Sequence, residues 1–245
     1  MKKFRTDLHV HTVLSPCASV EMIPPLIIQK CIEHNIDLIA ITDHNAWENT
    51  AAVIDASNGY DVTVLPGIEI TTIEEVHALC IFDDLSQIAS FYKIISSHLP
   101  DIPNNPDIFG EQFIVDQTGL FIKRKSNLLA QSIQLSLSEI SDLVFSHQGL
   151  FIPSHITRRD SGLLPLLGWV PDSLKVDALE IDRNVNIKNL IEKFPTISQY
   201  PLIQNGDVHH LDDFLGTEIF EMEKPCTNEI RRCLSFAHYN CRSLG

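Results

Sequence analysis

The sequence has no C-x-x-C pair, no internal repeat, no low-complexity tract and no apolar run approaching the roughly 18 residues that span a bilayer. Its six cysteines, at 17, 31, 80, 226, 233 and 241, are scattered, which speaks against a zinc finger or a disulfide framework and for reduced thiols. Basic residues are scarce: 18 Lys and Arg stand against 32 Asp and Glu, a formal net charge of −14. Such a chain repels a nucleic-acid backbone at long range, so a long nucleic acid is not an expected partner, whereas small anions are admissible. The basic opening Met1-Lys2-Lys3 leads into no signal-type apolar region, because Asp7, His9 and His11 interrupt it. A cytoplasmic protein without a membrane partner is expected.

What is present is an ordinary globular composition, 44% apolar and 20% charged over 245 residues, enough for an ample core. The expectation is one domain over 1–245. Its first 82 residues alternate strand and helix: a strand at 5–11, a helix opened by Pro24-Pro25 and closed near Asn35, a buried strand at 37–41, a helix at 46–57 and a strand at 62–65. Further strands are expected at 149–154, 176–182 and 201–207, which makes the chain an α/β barrel or a doubly wound sheet. Residues 83–148 break this rhythm and read as an insertion over the mouth of the site, with helices near 85–98 and from a Ser138 cap, and a hairpin at 113–123. Near the C-terminus, Ile230, Cys233, Leu234 and Ala237 form a buried helical stripe that leaves Arg231 and Arg232 pointing away.

Metal-ligand side chains recur where the chain leaves each strand. His9 and His11 close the first, Asp43-His44 the second, Glu69 the third, Ser154-His155 the one after the insertion, and Asp207 and His209 the last. That rim is where parallel α/β folds build their sites. His77 precedes its apolar run, but the short connection from Glu69 suits an antiparallel pair, which returns His77 to the rim. His34, His98, His147 and His238 read as surface or capping residues, and His210 as facing away from His209. Arg158 and Arg159, just beyond His155, are candidates to clamp a phosphate, Arg158 ahead of Arg159.

The segments DLHVHT, AITDH, PGIEIT, VHAL, SHI and NGDVHH, in this order, resemble the motifs of the PHP (polymerase and histidinol phosphatase) domain over 6–82 and 149–216. The resemblance implies a distorted seven-stranded (β/α) barrel and two to three divalent ions. By position, His9, His11, Glu69 and Asp207 would hold the first metal, His44 and His209 the second, and His77 and His155 the third, with Glu69 bridging. Imidazole and carboxylate ligands together suit zinc, manganese or iron. Many relatives complete the second metal with an Asp or His soon after H-x-H, where this chain has Pro16 and Cys17. Cys17, Glu21 or a vacant, water-filled position are the alternatives, and Cys17 leads because a thiolate is a good zinc ligand. Asp7 reads as an orienting or structural group.

These features predict a metal-dependent phosphoesterase that hydrolyses a small phosphorylated metabolite or nucleotide through a metal-bound hydroxide, with Arg158, Glu69 and Asp207 as its catalytic residues and Arg158 and Arg159 contacting substrate. The rivals are a nuclease trimming short oligonucleotide ends, an amidohydrolase, and a metal-binding regulatory module without turnover.

Overall fold

Burial on both faces, rather than alternation, organises the strands. The computed structural model describes the backbone of residues 1–242 and the side chains of residues 1–235. Along the chain lie β1 (Lys2–Val10), α1 (Pro24–Glu33), β2 (Leu38–Ile41), α2 (Thr50–Ala56), β3 (Thr63–Thr71), β4 (His77–Ile81), α3 (Leu85–Ile95), α4 (Pro106–Phe109), β5 (Phe113–Val115) and β6 (Phe121–Arg124). They are followed by α5 (Leu137–Ser146), β7 (Leu150–Pro153), α6 (Leu163–Leu167), β8 (Leu179–Glu180), α7 (Ile187–Lys193), β9 (Leu202–Ile203), β10 (Glu218–Met222) and α8 (Thr227–Arg242). Every residue of β2 and β7 is buried, as expected of strands covered on both sides. Prolines open α1, and Asn35 leaves it in the left-handed region at φ 53°.

A six-stranded sheet runs in the order β10-β1-β2-β3-β4-β7. Its β1, β2 and β3 are parallel, and β10, β4 and β7 pair antiparallel to their neighbours. The α/β class is therefore as expected, but a single seven-stranded ladder is not formed. Instead β8 and β9 make a separate parallel pair of two residues each. Isolated bonds join it to the sheet: the Asp177 amide donates to the Phe151 carbonyl at 2.9 Å, and the Val208 amide to the His9 carbonyl at 2.9 Å. Pro201, just before β9, accepts from the Leu179 amide but has no N–H to carry the ladder further in that direction.

Two helix starts differ from the sequence reading. α2 begins at Thr50 and not at 46, because Asn49 is engaged with Thr12, Phe113 and Val115. α5 is capped by Ser136 and not by Ser138: the Ser136 hydroxyl accepts from the Glu139 amide while the Glu139 carboxylate accepts from the Ser136 amide, a reciprocal box that the S-x-x-E spacing permits. His34 and His147 cap α1 and α5, as read, and His210 is exposed. Ile230 and Leu234 are buried, but Cys233 is only half-buried. Arg231 does not point away: its guanidinium donates to the buried Asp177 at 2.7 Å, because that carboxylate needs a partner. The side chains of Ala237 and His238 lie outside the described residues.

The segment 83–148 divides into two parts. From α3 and α5, Ile88, Phe91, Ile95, Ile140 and Val144 join the same core cluster as Ile68 and Ile70 of β3 and Phe151 of β7. Between them, residues 99–135 lie along the rim and carry the β5–β6 hairpin. Phe91 has no exposed surface and packs on Phe82 with ring centroids 5.0 Å apart. Phe91→Ala should therefore cost about 3–5 kcal/mol. Phe121→Ala on the hairpin, where the ring is 56% exposed, should change stability by no more than about 0.5 kcal/mol. Urea unfolding of the two variants checks both, and equal losses would contradict this division.

Candidate metal centre

Glu69 has no exposed surface and sits where the rim histidines meet. Its Oε1 lies 3.4 Å from His9 Nε2, 3.2 Å from His77 Nδ1 and 3.1 Å from His155 Nε2. Its Oε2 lies 3.4 Å from His11 Nε2 and 3.0 Å from His44 Nδ1. The β3–β4 antiparallel register produces part of this, since Thr71 faces His77 and so brings His77 back beside Glu69. Asp207 arrives from the far side, its Oδ1 3.1 Å from His9 Nε2, 3.4 Å from His11 Nε2 and 3.4 Å from His209 Nδ1. The His11 and His209 rings stack with centroids 4.1 Å apart.

Hydrogen bonds satisfy only part of this cluster: Glu69 Oε1 accepts from Ser154 Oγ at 2.9 Å and lies within hydrogen-bond distance of His77 and His155. Glu69 Oε2, His44 Nδ1 and Asp207 Oδ1, by contrast, are buried and have no hydrogen-bond partner among the described residues. Orphaned acceptors that converge on common points are satisfied by a cation. Among the described residues the ligand atoms form three compact groups: His9, His11 and Glu69; His11, His44 and His209; and His44, Glu69 and His77. These residues fit divalent ions, and the mixed nitrogen and oxygen set suits zinc, manganese or iron.

The electrostatics agree. Burial works against ionisation of Glu69 and Asp207, yet His9 and its neighbouring imidazoles hold both carboxyls well below the usual range. Burial likewise opposes a charge on His9, but Glu180, Asp207 and Glu69 raise its pKa well above the ordinary value. His44 is raised in the same sense against the desolvation cost. Burial and His209 push His11 the other way. Before a cation enters, therefore, protons on some imidazoles balance the carboxylates.

The remaining predicted residues separate clearly. Cys17 is exposed as a residue, but its thiol lies against His44 and His209; desolvation raises its pKa, and these imidazoles overcome that and bring it down to about 6. Glu21 is exposed and touches none of them. Arg158 is beside the centre, its guanidinium 2.5 Å from Asp207 Oδ2 and 3.6 Å from Asp182. Arg159, expected to share the substrate with Arg158, is exposed and pairs with nothing among the described residues, because the carboxylates that engage Arg158, Asp207 and Asp182, leave it without a partner at the site. Asp7 is buried and accepts backbone N–H bonds from Gly206, Leu215 and Gly216, which ties down the Asp207 segment. Burial raises its pKa to about 6 despite those bonds.

Sequence reasoning missed the groups that steady the ligands. Ser15 Oγ lies 2.9 Å from His11 Nδ1 and donates to buried Asp43 at 2.7 Å. Ser161 approaches His155 Nδ1 at 3.4 Å, and buried Glu180 meets His9 Nδ1 at 3.0 Å. A carboxylate inside the apolar run VDALEID was the available signal for Glu180. Backbone strain, invisible in sequence, marks the same places: Asn45, His155 and Asp207 adopt φ of 45°, 29° and 49°. Such conformations cost about 1–3 kcal/mol each and cluster at functional sites.

The fold and the site together define an α/β protein with clustered His and Glu side chains at the rim of its sheet that could hold metal ions. More particularly, the chain belongs to the PHP domain family, whose sequence model matches residues 7–155. Comparison with curated proteins gives no match. Among solved structures, the lesion-specific endonuclease PfuEndoQ of Pyrococcus furiosus superposes with a TM-score of 0.74 at 19% identity, over 96% of this chain and 56% of that one. The chain thus spans about half the length of that enzyme. A complex of Endonuclease Q with a 27-mer duplex bearing an abasic lesion at the active site gives 0.73 at 19% identity, over 94% and 56%. A protein from Bifidobacterium adolescentis classed with the metal-dependent phosphoesterases gives 0.59 at 18% identity, over 94% and 95%. These likenesses show the fold.

They also overturn the expectation that a long nucleic acid is an unsuitable partner, because Endonuclease Q, with this fold, is seen holding a duplex. The physical reason is range. Net charge acts through a field that salt screens within about 8–10 Å, so it does not decide what a site beneath the rim accepts.

Metal-replete protein should carry two to three ions per chain by elemental analysis, and less than ~0.5 would contradict the fit. Affinity should rise with pH, since ions displace protons from His9 and His44, whose raised pKa values keep them charged to higher pH in the metal-free protein. Zinc titration at several pH values measures this. Cys17→Ser should weaken zinc binding by roughly 10-fold or more, whereas Glu21→Gln should not. The reverse order would assign the position to Glu21.

Proposed function

We propose that the protein is a metal-dependent hydrolase of phosphate esters. The observation that carries this reading is the sharing of Asp207 between the metal centre and an arginine: Oδ1 faces His9 and His11, and Oδ2 holds Arg158. The guanidinium is thereby aimed beside the centre while 40% of its side chain stays open to solvent, which leaves N–H groups for a bound oxyanion. On this reading His9, His11, Glu69 and Asp207 hold one ion, His44, His209 and Cys17 a second, and His77 and His155 a third, with Glu69 shared. Divalent ions in such a set lower the pKa of water toward neutrality and offset phosphate charge. The chain's own part is to fix the geometry, to exclude bulk water through the buried Glu69 and His9, and to stabilise developing charge with Arg158.

We read residues 1–245 as one domain, with β8 and β9 completing a distorted barrel with the main sheet. Residues 130–132 line a cavity of about 350 Å³ beside His44 and His77, which supports a role for the 99–135 segment in shaping the substrate's approach. Asn45 anchors that segment by donating to the carbonyls of Leu129 and Gln131 at 2.8 and 2.7 Å.

A second reading, a nuclease, is favoured by the likeness to Endonuclease Q over nearly the whole of this chain. A panel of phosphomonoesters, bis-p-nitrophenyl phosphate, and single- and double-stranded oligonucleotides, with zinc, manganese or iron, separates the two. Hydrolysis of some phosphate ester that is abolished by chelation is the expected result. Turnover of amides alone, or of nothing, would defeat the reading and leave an amidohydrolase or a metal-binding module. Arg158→Ala should lower kcat/KM by about 2–4 kcal/mol, Glu69→Gln by more, and Arg159→Ala scarcely at all.

A further inference from the structure

Glu180, in the two-residue strand β8, belongs to none of the metal-ligand groups, yet it is 1% exposed and its carboxylate meets groups from three other segments of the site. Its oxygens lie 3.1 and 3.0 Å from His9 Nδ1. Oε1 also accepts from Asn205 Nδ2 at 3.2 Å, and Oε2 from the backbone amide of His155 at 3.2 Å. The orientation of Asn205 is settled by β1, because the Leu8 amide donates to its Oδ1 at 2.9 Å and leaves the NH₂ for Glu180. Donors from β1, from the turn after β7 and from the segment after β9 therefore converge on one buried carboxylate.

We propose that Glu180 is a positioning residue of the metal centre, which holds His9 as the Nδ1–H tautomer and so directs the Nε2 lone pair at the space shared with His11, Glu69 and Asp207. This rests on the reading of His9 as a metal-holding residue. Each Glu180 oxygen already accepts from a group that can only donate, the Asn205 NH₂ or the His155 amide, so the carboxyl serves as an acceptor and the ring nitrogen facing it carries the proton. The other nitrogen, 3.1 Å from His11 Nε2 and 3.1 Å from Asp207 Oδ1, is then the one that gives up its proton and offers a lone pair when a cation enters, as a metal-holding imidazole must. The same carboxylate also holds the His155 amide, at the residue whose φ is 29°, so one group sets the ring of one histidine and the backbone of another.

Because every position around Glu180 is filled by a donor, a glutamine cannot replace it in either orientation. With its NH₂ in place of Oε1 it opposes the Asn205 amide and donates to His9 Nδ1, which moves the His9 proton to Nε2, the atom that faces the metals. With its NH₂ in place of Oε2 it opposes the His155 amide. Aspartate keeps the acceptor character and loses only reach.

The test combines ring-nitrogen NMR of ¹⁵N-histidine-labelled protein with zinc titration of the metal-free wild type, Glu180→Gln, Glu180→Asp and Asn205→Ala. Zinc-loaded wild type should show His9, identified by its loss in His9→Asn, protonated at Nδ1. Glu180→Gln should lose 10- to 100-fold in zinc affinity and shift the His9 tautomer, and Glu180→Asp should restore the tautomer and part of the affinity. A merely structural role would lower melting temperature in both variants and leave the tautomer alone. His9 protonated at Nε2 in the zinc-loaded wild type, or a Glu180→Gln protein with unchanged affinity and tautomer, would overturn the proposal without touching the metal-site reading. If Glu180→Gln does not fold, the wild-type spectrum decides alone. A wild type that binds no zinc would overturn both.

Discussion

The whole centre depends on one electrostatic constraint: an ionised carboxylate, Glu69, is held entirely out of water. An isolated charge in that position would cost far more than the few kcal/mol by which a domain is stable. It is tolerated because imidazoles from β1, the segment after β2, β4 and the turn after β7 surround it. Those imidazoles would in turn repel one another if all were charged. A cation in their midst answers both requirements, since it takes the lone pairs of neutral rings and the charge of the carboxylate together.

The same constraint explains why so much of the polar interior is given over to holding ligands still. Asp43 accepts from Thr12 and Ser15, and Ser15 approaches the His11 ring. Asp7 collects the backbone amides of the turn that carries Asp207. Asn45, itself in a left-handed conformation, links Glu69's strand to the segment over the rim. Each of these groups is a short polar side chain next to a strained or irregular stretch, where no ladder of a sheet can supply the hydrogen bonds. Strain at His155 and Asp207 is affordable because the hydrophobic clusters on both sides of the sheet over-determine the backbone around them.

Charge acts on two scales in this molecule. Over its surface the excess of acid is large, and it governs encounter with distant partners. Within the site, sign is set locally, by the imidazoles and Arg158 that face Glu69 and Asp207, and not by the sum over the surface. Reasoning from the sum led to the wrong conclusion about nucleic acid, and reasoning from the site removes the objection.

The sequence alone determined the class of fold and which histidines and carboxylates lie at the strand ends. Period-2 spacing placed His9 and His11 on one face, strand ends carried His44, Glu69, His155, Asp207 and His209, and a short connection predicted the antiparallel return of His77, because all of these follow from local geometry. Tertiary structure alone decided what depends on long-range contact. It brought Cys17 and not Glu21 to His44 and His209, anchored Arg158 on Asp207 and left Arg159 outside, and put Glu180 from a distant two-residue strand behind His9. It also left β8 and β9 as a pair apart from the six-stranded sheet and absorbed α3 and α5 into the core. No spacing along the chain encodes these, since the partners are separated by scores of residues and meet only when the sheet closes around its buried carboxylate.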